Sequence, residues 1–383
     1  MDMASESYSA SNAVDGLHLE ILRDGKTVQV PMNELPTFQF EDGDEISLLP
    51  ESEASKWPLT EFGARHVYVD GQAYRIPRRY IIAEYKGFSL LEDLVELTGG
   101  GMGNFAQIAQ MHLSIYHTYL GLRPDMTVLE VGSGIGRDAF EFIDYLNSDG
   151  RYIGVDITRD SIEWCRRNIT SRHPNFEFHH FDSKHEMYNP LGKCSSLDFV
   201  LPAEDNSVDR IFLTSVFTHL FEEEITHYLK EFARVLKPDG LVYASFFLYE
   251  PVAVAHAAKQ PTGLKFRHPY SDGFFIDSPE IETAAVAITD EAMTRMIGRA
   301  GLTNARPYLR GFWSGITDGA HFGQDAAILA RATSPSNDVA FGLLPSDFDG
   351  ELYLRLHPDV KQAGMNPGDH YLIHGRREGR RYR

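Results

Sequence analysis

Short apolar runs alternate with amphipathic stretches through the middle of the chain. Five runs have the length of a buried strand, and they occupy residues 128–131, 152–157, 176–183, 208–215 and 241–247. Helical patterns lie between them, notably over residues 138–146 and 223–236. Strands that alternate with helices are typical of βαβ units and a parallel sheet. The pattern therefore predicts an α/β domain with helices on both faces of one sheet.

A glycine-rich turn follows the first of these strands. Gly132, Gly134 and Gly136 separate the apolar run 128–131 from the helical run that begins at Asp138. Such a turn presents free backbone N–H groups, and the missing Cβ atoms let a ligand approach the backbone. The nicotinamide and flavin fingerprint is G-x-G-x-x-G, and Arg137 stands where its third glycine would be. The turn indicates an anion or nucleotide site without matching that fingerprint.

A G-x-G-x-G turn after an acidic strand end resembles the first motif of class I S-adenosylmethionine-dependent methyltransferases. The second strand carries Asp156, 20 residues after Gly136, and the segment RVLKPDG at residues 234–240 precedes the fifth strand. The likeness covers residues 127–331. It implies a Rossmann-like, seven-stranded sheet with helices on both faces and an antiparallel last strand. Residues 308–313 and 325–330 are expected to form the last two strands. We expect this methyltransferase domain to occupy residues 127–332.

The resemblance implies S-adenosylmethionine as cofactor and S-adenosylhomocysteine as product. No metal is predicted, because Thr214 and Ser215 stand where magnesium-dependent relatives carry consecutive acids. In the family, the turn and the first acid hold the amino-acid and ribose part, the second acid holds the ribose hydroxyls, and the third strand end contacts adenine. Carried over to this chain, the cofactor-binding residues are Glu130, Gly132, Ser133, Gly134, Gly136, Arg137, Asp156, Ile157, Phe181, Asp182, Ser183 and Ser215. Two alternatives stay open: Asp156 as a helix N-cap and Arg137 as a surface residue.

His219 is the candidate catalytic residue. It lies just past the end of the fourth strand, which is the active-site position in the family. Methyl transfer to a hydroxyl needs a base, and histidine titrates in the right range. The alternative is a helix N-terminal histidine that bonds to a loop carbonyl.

The segment before the methyltransferase region has a different pattern. Residues 1–15 are polar and predict a disordered tail. Alternating runs around residues 23–26 and 70–71 predict two hairpins in a β-rich unit over residues 16–85. Its role is open between structure or homo-oligomer formation and a lid or acceptor platform. Residues 86–126 read as a helical cap, with helices over 88–97 and 105–120, the second capped by Asn104.

An insertion over residues 249–283 follows the fifth strand. Loops over the carboxyl ends of such a sheet usually hold substrate. The candidate substrate residues are Lys265, Arg267, His268, Tyr270 and Trp313. An ordered surface loop is the alternative for this insertion, and a helix over residues 290–300 is expected to follow it.

The C-terminal segment forms a separate pattern. The pattern predicts a linker over residues 333–343 and a helical module over residues 344–383. The module resembles a short unit that recurs in bacterial proteins, often attached to glycosyltransferases and other polysaccharide enzymes, and also to secreted repeat proteins. A pair of helices docked on the core is the alternative.

Composition narrows the range of acceptors. Lys+Arg number 36 and Asp+Glu 55, so the net charge is −19. A surface this acidic repels phosphate backbones, which disfavours a nucleic acid partner. The two cysteines lack metal-ligand spacing and predict reduced thiols. Without a signal peptide or a membrane-length apolar run, we expect a cytoplasmic protein.

The sequence thus predicts an O-methyltransferase that acts on a sugar of a bacterial glycan or its precursor. The glycan part depends on the C-terminal resemblance and on the insertion. The alternatives are a small-molecule O- or N-methyltransferase for a natural product or lipid precursor, and a cofactor-binding scaffold without catalysis.

Overall fold

The computed structural model describes most of the chain in two units. The described residues are 18–23, 26–31, 45–46, 64–69, 72–77, 81–261, 263–315, 322–332, 348–362, 367–371, 375 and 380–383. The first unit comprises residues 1–113, 133–144 and 158–178, and the second comprises residues 114–132, 145–157 and 179–383. The predicted tail 1–15 and linker 333–343 lie outside the described residues, as do the turn residues 24–25 and 70–71.

The first unit begins with antiparallel strands. They are β1 (His18–Arg23), β2 (Lys26–Pro31), β3 (Glu45–Ile46), β4 (Ala64–Val69), β5 (Gln72–Pro77), β6 (Ile81–Tyr85) and β7 (Phe88–Leu91). Both predicted hairpins are present, as the pairs β1–β2 and β4–β5. Among the described residues, five strands form one sheet with the order β2-β1-β6-β7 and β3 beside β1.

The helix predicted over residues 88–97 is wrong in its first half. Residues 88–91 form β7, and the helix α1 covers only Glu92–Glu96. Lys86 and Gly87 have φ values of +49° and +76° between the paired residues Tyr85 and Phe88. Two central residues with positive φ close a tight hairpin, which converts the apolar run into a strand.

Helices complete the first unit. The helix α2 (Gly101–Leu120) starts in this unit, followed by α3 (Ala139–Tyr145) and α4 (Arg159–Cys165). Asn104, the predicted cap, lies inside α2 and donates to the Gly100 carbonyl at 3.1 Å. The start of this helix was therefore predicted four residues too late.

The second unit contains the α/β sheet. Its strands are β8 (Thr127–Val131), β9 (Arg151–Asp156), β10 (Phe176–His180, whose last two residues belong here), β11 (Val208–Leu213), β12 (Leu236–Leu248), β13 (His268–Ser271), β14 (Phe274–Ile276), β15 (Val286–Ile288), β16 (Leu302–Asn304) and β17 (Asp325–Arg331). The described part has ten strands in the order β10-β9-β8-β11-β12-β15-β14-β13, with β17 on β12 and β16 on β17.

Strand directions confirm the predicted fold class. β8 is parallel to β9 and to β11, and β11 is parallel to β12. The last strand, β17, runs antiparallel to β12. Parallel neighbours bring the carboxyl ends of β8, β9 and β11 to one edge of the sheet, where a ligand crevice is expected in such folds.

Three details of the predicted sheet are wrong. The segment 237–240 continues as strand within β12, because Leu236 already pairs with Val208. Residues 308–313 make only two isolated bridges, and β16 takes the place beside β17. The insertion 249–283 is not a plain loop: it forms the helix α6 (Pro251–Lys259) and the strands β13 and β14, which extend the sheet beyond seven strands.

The core of the second unit lies under two amphipathic helices, α5 (Glu222–Val235) and α7 (Asp290–Arg299). Leu229, Phe232 and Met296 are fully buried within it. The Thr289 hydroxyl accepts from Ala292 N at 3.3 Å at the start of α7, and Gly301, with φ +74°, follows its end. Burial of each large apolar side chain contributes about 1.5–3 kcal/mol.

The last part of α2 is fixed on the sheet within this unit. Tyr116 stacks on Phe212 with centroids 4.2 Å apart. The buried Arg210 guanidinium donates to the Leu120 carbonyl and, at 2.7 Å, to that of Asp209. Burial lowers the pKa of Arg210 to about 10.

The C-terminal segment is helical, as predicted. It contains α8 (Gly350–Leu356), α9 (Pro358–Gln362) and α10 (Pro367–His370). Tyr353, Val360 and Tyr371 form a small buried cluster, and the Tyr353 hydroxyl lies 3.0 Å from His370 Nδ1. Within the described residues, no helix is both long and apolar enough to cross a membrane.

Candidate functional site

The end of β8 carries Glu130 and Gly132. Glu130 is 7% exposed, and its carboxylate accepts a hydrogen bond from the Tyr152 hydroxyl on β9. Gly132 has φ +82° and donates to the Val155 carbonyl at 2.8 Å. A Cβ on Gly132 would stand 2.6 Å from Val216 Cγ2. Only glycine therefore fits between the ends of β8 and β11.

The rest of the glycine turn belongs to the first unit. Gly136 N donates to the Ser133 carbonyl at 2.8 Å, and a Cβ on Gly134 would stand 2.7 Å from Thr98 Cγ2. Arg137 Nη1 donates to the carbonyl oxygens of Thr98 and Gly99 at 3.0 and 2.9 Å. The cofactor roles of Ser133, Gly134, Gly136 and Arg137 stay predictions.

The acid Asp156 ends β9. It is half-buried, and its carbonyl accepts from Phe181 N at 3.0 Å, so the end of the third strand lies beside it. The Ile157 carbonyl accepts from His180 Nε2 at 3.2 Å. The structure thus brings Asp156, Ile157 and Phe181 together at one edge of the sheet, as the sequence predicted. Their contacts to a cofactor remain predictions.

Asp182 and Ser183 begin the loop that follows β10, and both accept hydrogen bonds from within this loop. Asn189 Nδ2 donates to Asp182 Oδ1 at 3.2 Å and to the Ser183 carbonyl at 2.9 Å. Ser183 is 3% exposed. Part of the hydrogen-bonding capacity expected to face adenine is therefore engaged within the loop.

Ser215 occupies an unusual backbone conformation. Its φ is +60°, which is uncommon for a residue with a side chain and costs about 1–3 kcal/mol unless the surroundings enforce it. Ser245 Oγ accepts from Ser215 N at 2.8 Å and donates to Gln324 Oε1 at 2.6 Å. Gln324 Nε2 donates to Ser215 Oγ at 2.8 Å, which closes a ring of hydrogen bonds.

This ring of three side chains was not predicted. It joins the end of β11 to β12 and to the residue before β17. Since Val216 follows Ser215 and fills the space over Gly132, the ring also sets that contact. No sequence pattern marks Gln324, because its position depends on the antiparallel register of β17 on β12.

His219 is held by a loop carbonyl. Its Nδ1 lies 2.8 Å from the Thr283 carbonyl oxygen, so Nδ1–H donates and the lone pair of the neutral ring is on Nε2. Burial lowers the pKa of His219 below its ordinary value, and the bond to Thr283 opposes that shift. The contact is the one foreseen in the structural alternative, and it also suits a proton acceptor.

Two further side-chain rings pack beside the imidazole of His219. The Tyr188 ring centroid lies 5.5 Å and that of His185 6.2 Å from the His219 ring. Burial raises the pKa of Tyr188, and the nearby Asp156 adds to the shift. Tyr188 therefore packs beside His219 and is close enough to the acid of β9 to be influenced by its charge. No sequence pattern marks Tyr188, because residues 184–196 carry no recognisable motif.

The five candidate substrate residues are dispersed. Arg267 and His268 are exposed, and Tyr270 stacks on Phe221 with centroids 4.1 Å apart. Lys265 Nζ donates to the Ala257 and Gln260 carbonyls at 2.5 and 2.6 Å, at the end of α6. These contacts of Lys265 are those of a helix C-cap. Substrate roles for the first four of these residues remain predictions.

Trp313, the fifth, is fixed by a buried acid. Its Nε1 donates to Asp325 Oδ2 at 2.5 Å, and Asp325 also accepts from Leu248 N and Gly311 N at 2.9 and 3.0 Å. Asp325 is fully buried, which raises the pKa of its carboxyl group. The indole N–H is thereby used inside the protein, and a substrate role for Trp313 remains a prediction.

No group of three or more potential metal ligands occurs among the described residues. His179 and His180 are consecutive on β10, so their side chains point to opposite faces.

Comparison with known families identifies the central segment. Residues 128–240 match the family model described as "Methyltransferase domain". The match runs from β8 into β12 and includes the glycine turn, Asp156 and His219. It confirms the predicted methyltransferase domain for this segment.

Two curated relatives share this region. The chain is 24% identical to an arsenite methyltransferase of Aquipseudomonas alcaligenes over 217 residues, which are 52% of this chain and 60% of the relative. It is 30% identical to an arsenite methyltransferase of Halobacterium salinarum over 128 residues, 33% of this chain and 28% of the relative. The chain therefore spans less than two thirds of either relative's length.

A solved structure is also similar. The S-adenosylmethionine-dependent methyltransferase of Aquifex aeolicus is 17% identical, and the match covers 59% of this chain and 89% of that one with a TM-score of 0.35. A TM-score this low does not support the fold assignment, which depends on the order and direction of the strands.

Proposed function

We propose that this protein is an S-adenosylmethionine-dependent O-methyltransferase whose acceptor is a sugar hydroxyl of a bacterial glycan or glycan precursor. The match over residues 128–240 supports the methyltransferase activity. The sugar acceptor is supported by the C-terminal helical module, which resembles units of polysaccharide enzymes, and by the aromatic and polar hairpin β13–β14. This second part is an inference by association.

The observation that carries the reaction type is the setting of His219. Donation from Nδ1 to the Thr283 carbonyl fixes the tautomer, and burial favours the neutral ring. A neutral imidazole with its lone pair on Nε2 can accept the proton that a hydroxyl loses as it attacks. The packed Tyr188 and His185 rings hold the imidazole in place and exclude water from one side.

The second unit fits the cofactor. Gly132 leaves no room for a side chain at the end of β8, and Asp156 presents a carboxylate at the end of β9 suited to two ribose hydroxyls. We infer that these residues, with Glu130 and Ser215, hold the cofactor. When bound, the cofactor supplies an electrophilic methyl group. The protein's own task is then to orient the acceptor hydroxyl and accept its proton.

Transfer of a labelled methyl group from S-adenosylmethionine tests this proposal. The purified protein is incubated with separate polysaccharide, nucleotide-sugar, lipid-linked and small-molecule fractions. Label in a sugar of any glycan or precursor fraction is expected. Label confined to non-sugar small molecules would contradict the sugar acceptor, and tight cofactor binding with no label in any fraction would favour a scaffold.

Arsenite is not the acceptor that we propose for this chain, although two relatives are named arsenite methyltransferases. Trivalent arsenic is a soft acceptor that prefers thiolate ligands, as other soft ions do. The sequence has two cysteines, and Cys165 is buried with its thiol 3.6 Å from the Gly134 carbonyl. That pair offers no preformed thiolate cluster.

A further inference from the structure

A cavity of about 640 Å³ lies in the loop that follows β10. Its lining includes Lys184, Glu186, Lys193, Ser195 and Ser196. The volume falls within the range of roughly 300–1,000 Å³ that is usual for small-molecule sites. None of these residues belongs to the predicted cofactor or substrate set.

The backbone of the loop brings the two lysines together. Lys184 N donates to the Cys194 carbonyl at 3.0 Å, so Lys184 lies across from the residue next to Lys193. Lys193 N and Cys194 N both donate to the Asp182 carbonyl, at 2.9 and 3.0 Å. A Cβ on Gly192 would stand 2.5 Å from Lys184 N. Only glycine at this position lets the backbone around residue 192 approach the backbone of Lys184 so closely. The site is therefore preformed by main-chain contacts.

The cavity contains two cations in an acidic chain. Lys184 and Lys193 line it together with Glu186, in a protein whose net charge is −19. The lining residues Ser195 and Ser196 donate to the Asp198 and Glu224 carboxylates, through Ser195 N at 3.0 Å and Ser196 Oγ at 2.6 Å. Within the described part of the chain, neither Lys184 nor Lys193 lies within 4.0 Å of a carboxylate oxygen. The Ser195 hydroxyl accepts from Leu197 N at 3.2 Å, which leaves its proton for donation. Ammonium and hydroxyl donors of this kind recognise phosphate groups.

The same loop reaches His219. His185, next to Lys184 in the chain, and Tyr188 contribute the two rings that pack beside His219. The loop therefore contributes residues both to the cavity and to the packing around the proposed proton acceptor.

We propose that this cavity binds the phosphate of a phosphorylated acceptor, in which a sugar is linked to a nucleotide or to a lipid phosphate. This inference rests on the proposed function and deepens it. The acceptor is then a charged precursor rather than a finished neutral polymer, and Lys184 and Lys193 determine that preference.

Calorimetric titration with inorganic pyrophosphate tests the cavity directly. The full-length protein is saturated with S-adenosylhomocysteine, so that the cofactor site does not contribute. Pyrophosphate is expected to bind the wild type and to bind the Lys184→Ala/Lys193→Ala variant at least about tenfold more weakly, because two charge-assisted contacts are lost. Lys230→Ala, which removes an exposed lysine of α5, is the matched control and should leave binding within about twofold.

Equal pyrophosphate affinity in the wild type and the double variant, or no binding to the wild type at millimolar concentration, would overturn the inference. Both lysines are exposed, so the variant should fold, and an unchanged thermal midpoint verifies this. Retained pyrophosphate binding without methylation of any sugar would contradict the proposed function and leave the cavity assignment intact.

Competition separates the two sources of phosphate. Displacement of pyrophosphate by a soluble sugar nucleotide supports a nucleotide-linked acceptor. Displacement only by phosphatidylcholine vesicles doped with phosphatidic acid supports a lipid-linked acceptor, for which Leu191, 79% exposed between the lining residues Pro190 and Gly192, offers an apolar contact. Displacement by neither overturns the proposed acceptor class.

Discussion

The protonation state of His219 controls the proposed chemistry at the residue scale. Burial lowers the pKa of its imidazole from the ordinary value of 6.5. The neutral ring, which is the form that accepts a proton, therefore predominates at and above pH 7. An unburied histidine would be partly protonated at the same pH, so a smaller fraction of it would be in the form that accepts a proton.

Activity should therefore depend on pH in a defined direction. As pH rises through the lowered pKa of His219, the reactive neutral form accumulates, so kcat/KM should increase below about pH 6.5 and level off near neutrality. The measurement is kcat/KM between about pH 5 and 8, for the acceptor that takes up the labelled methyl group. A rate that falls as pH rises through that range contradicts the role of His219.

Replacement of His219 separates catalysis from binding. His219→Ala should reduce kcat at least about a hundredfold, the usual size of general-base catalysis. Affinity for S-adenosylmethionine should stay near the wild-type value, and the thermal midpoint serves as the folding control. Activity within threefold of wild type would remove the proposed role.

At the element scale, the ends of β8, β11 and β12 are joined by side chains distant in sequence. Gln324 and Ser245 hold Ser215 at positive φ, and Val216 then packs over Gly132. The sequence indicated Ser215 and Gly132 through their strand-end positions. It could not indicate Gln324, because only the pairing of β17 with β12 places that amide beside Ser215.

A double substitution tests this arrangement. Gln324→Ala should weaken cofactor affinity about fivefold, because one hydrogen bond that holds Ser215 is worth about 1 kcal/mol. Glycine adopts positive φ at no steric cost, so adding Ser215→Gly should restore the part of the affinity that depends on this backbone conformation. Calorimetry on both variants is the measurement, with Ser215→Gly alone as the control. Wild-type affinity for Gln324→Ala would show that the ring does not support the site.

Errors in the predicted elements have identifiable causes. Apolar spacing over residues 88–97 suits a helix, but the turn at Lys86 and Gly87 pairs the first four residues with β6. Residues 237–240 contain proline and glycine, and they lie between Leu236 and Leu241, which pair with β11 across a shift of register. In both places, pairing of a segment or of its flanking residues with a neighbouring strand overrides local preference.

For the whole molecule, sequence patterns predicted the fold class and the strand-end acids, because each depends on local apolar runs and a glycine turn. Among the described strands of this sheet, they did not predict β13, β14, β15 and β16, nor did they predict the packing of His185 and Tyr188 beside His219. Those features arise from contacts between segments that carry no motif. The predicted N-terminal and C-terminal divisions of the chain, and a homo-oligomer, remain predictions.

Net charge also acts at the scale of the whole molecule. A net charge of −19 disfavours the approach of a nucleic acid backbone. Local cations such as Lys184 and Lys193 are therefore the places where we expect an anionic ligand to bind. A small phosphorylated acceptor meets this requirement better than a polyanionic backbone.

Calorimetric binding of S-adenosylmethionine to the wild type and to Asp156→Ala tests the central claim most directly, namely that the carboxyl ends of the parallel strands hold this donor. The wild type should bind it, and Asp156→Ala should lose about 1–3 kcal/mol of binding free energy, the value of a hydrogen bond to a charged group. Asp149→Ala, which removes an exposed loop acid, should match the wild type. No binding by the wild type, or equal affinity in the two variants, would contradict the claim.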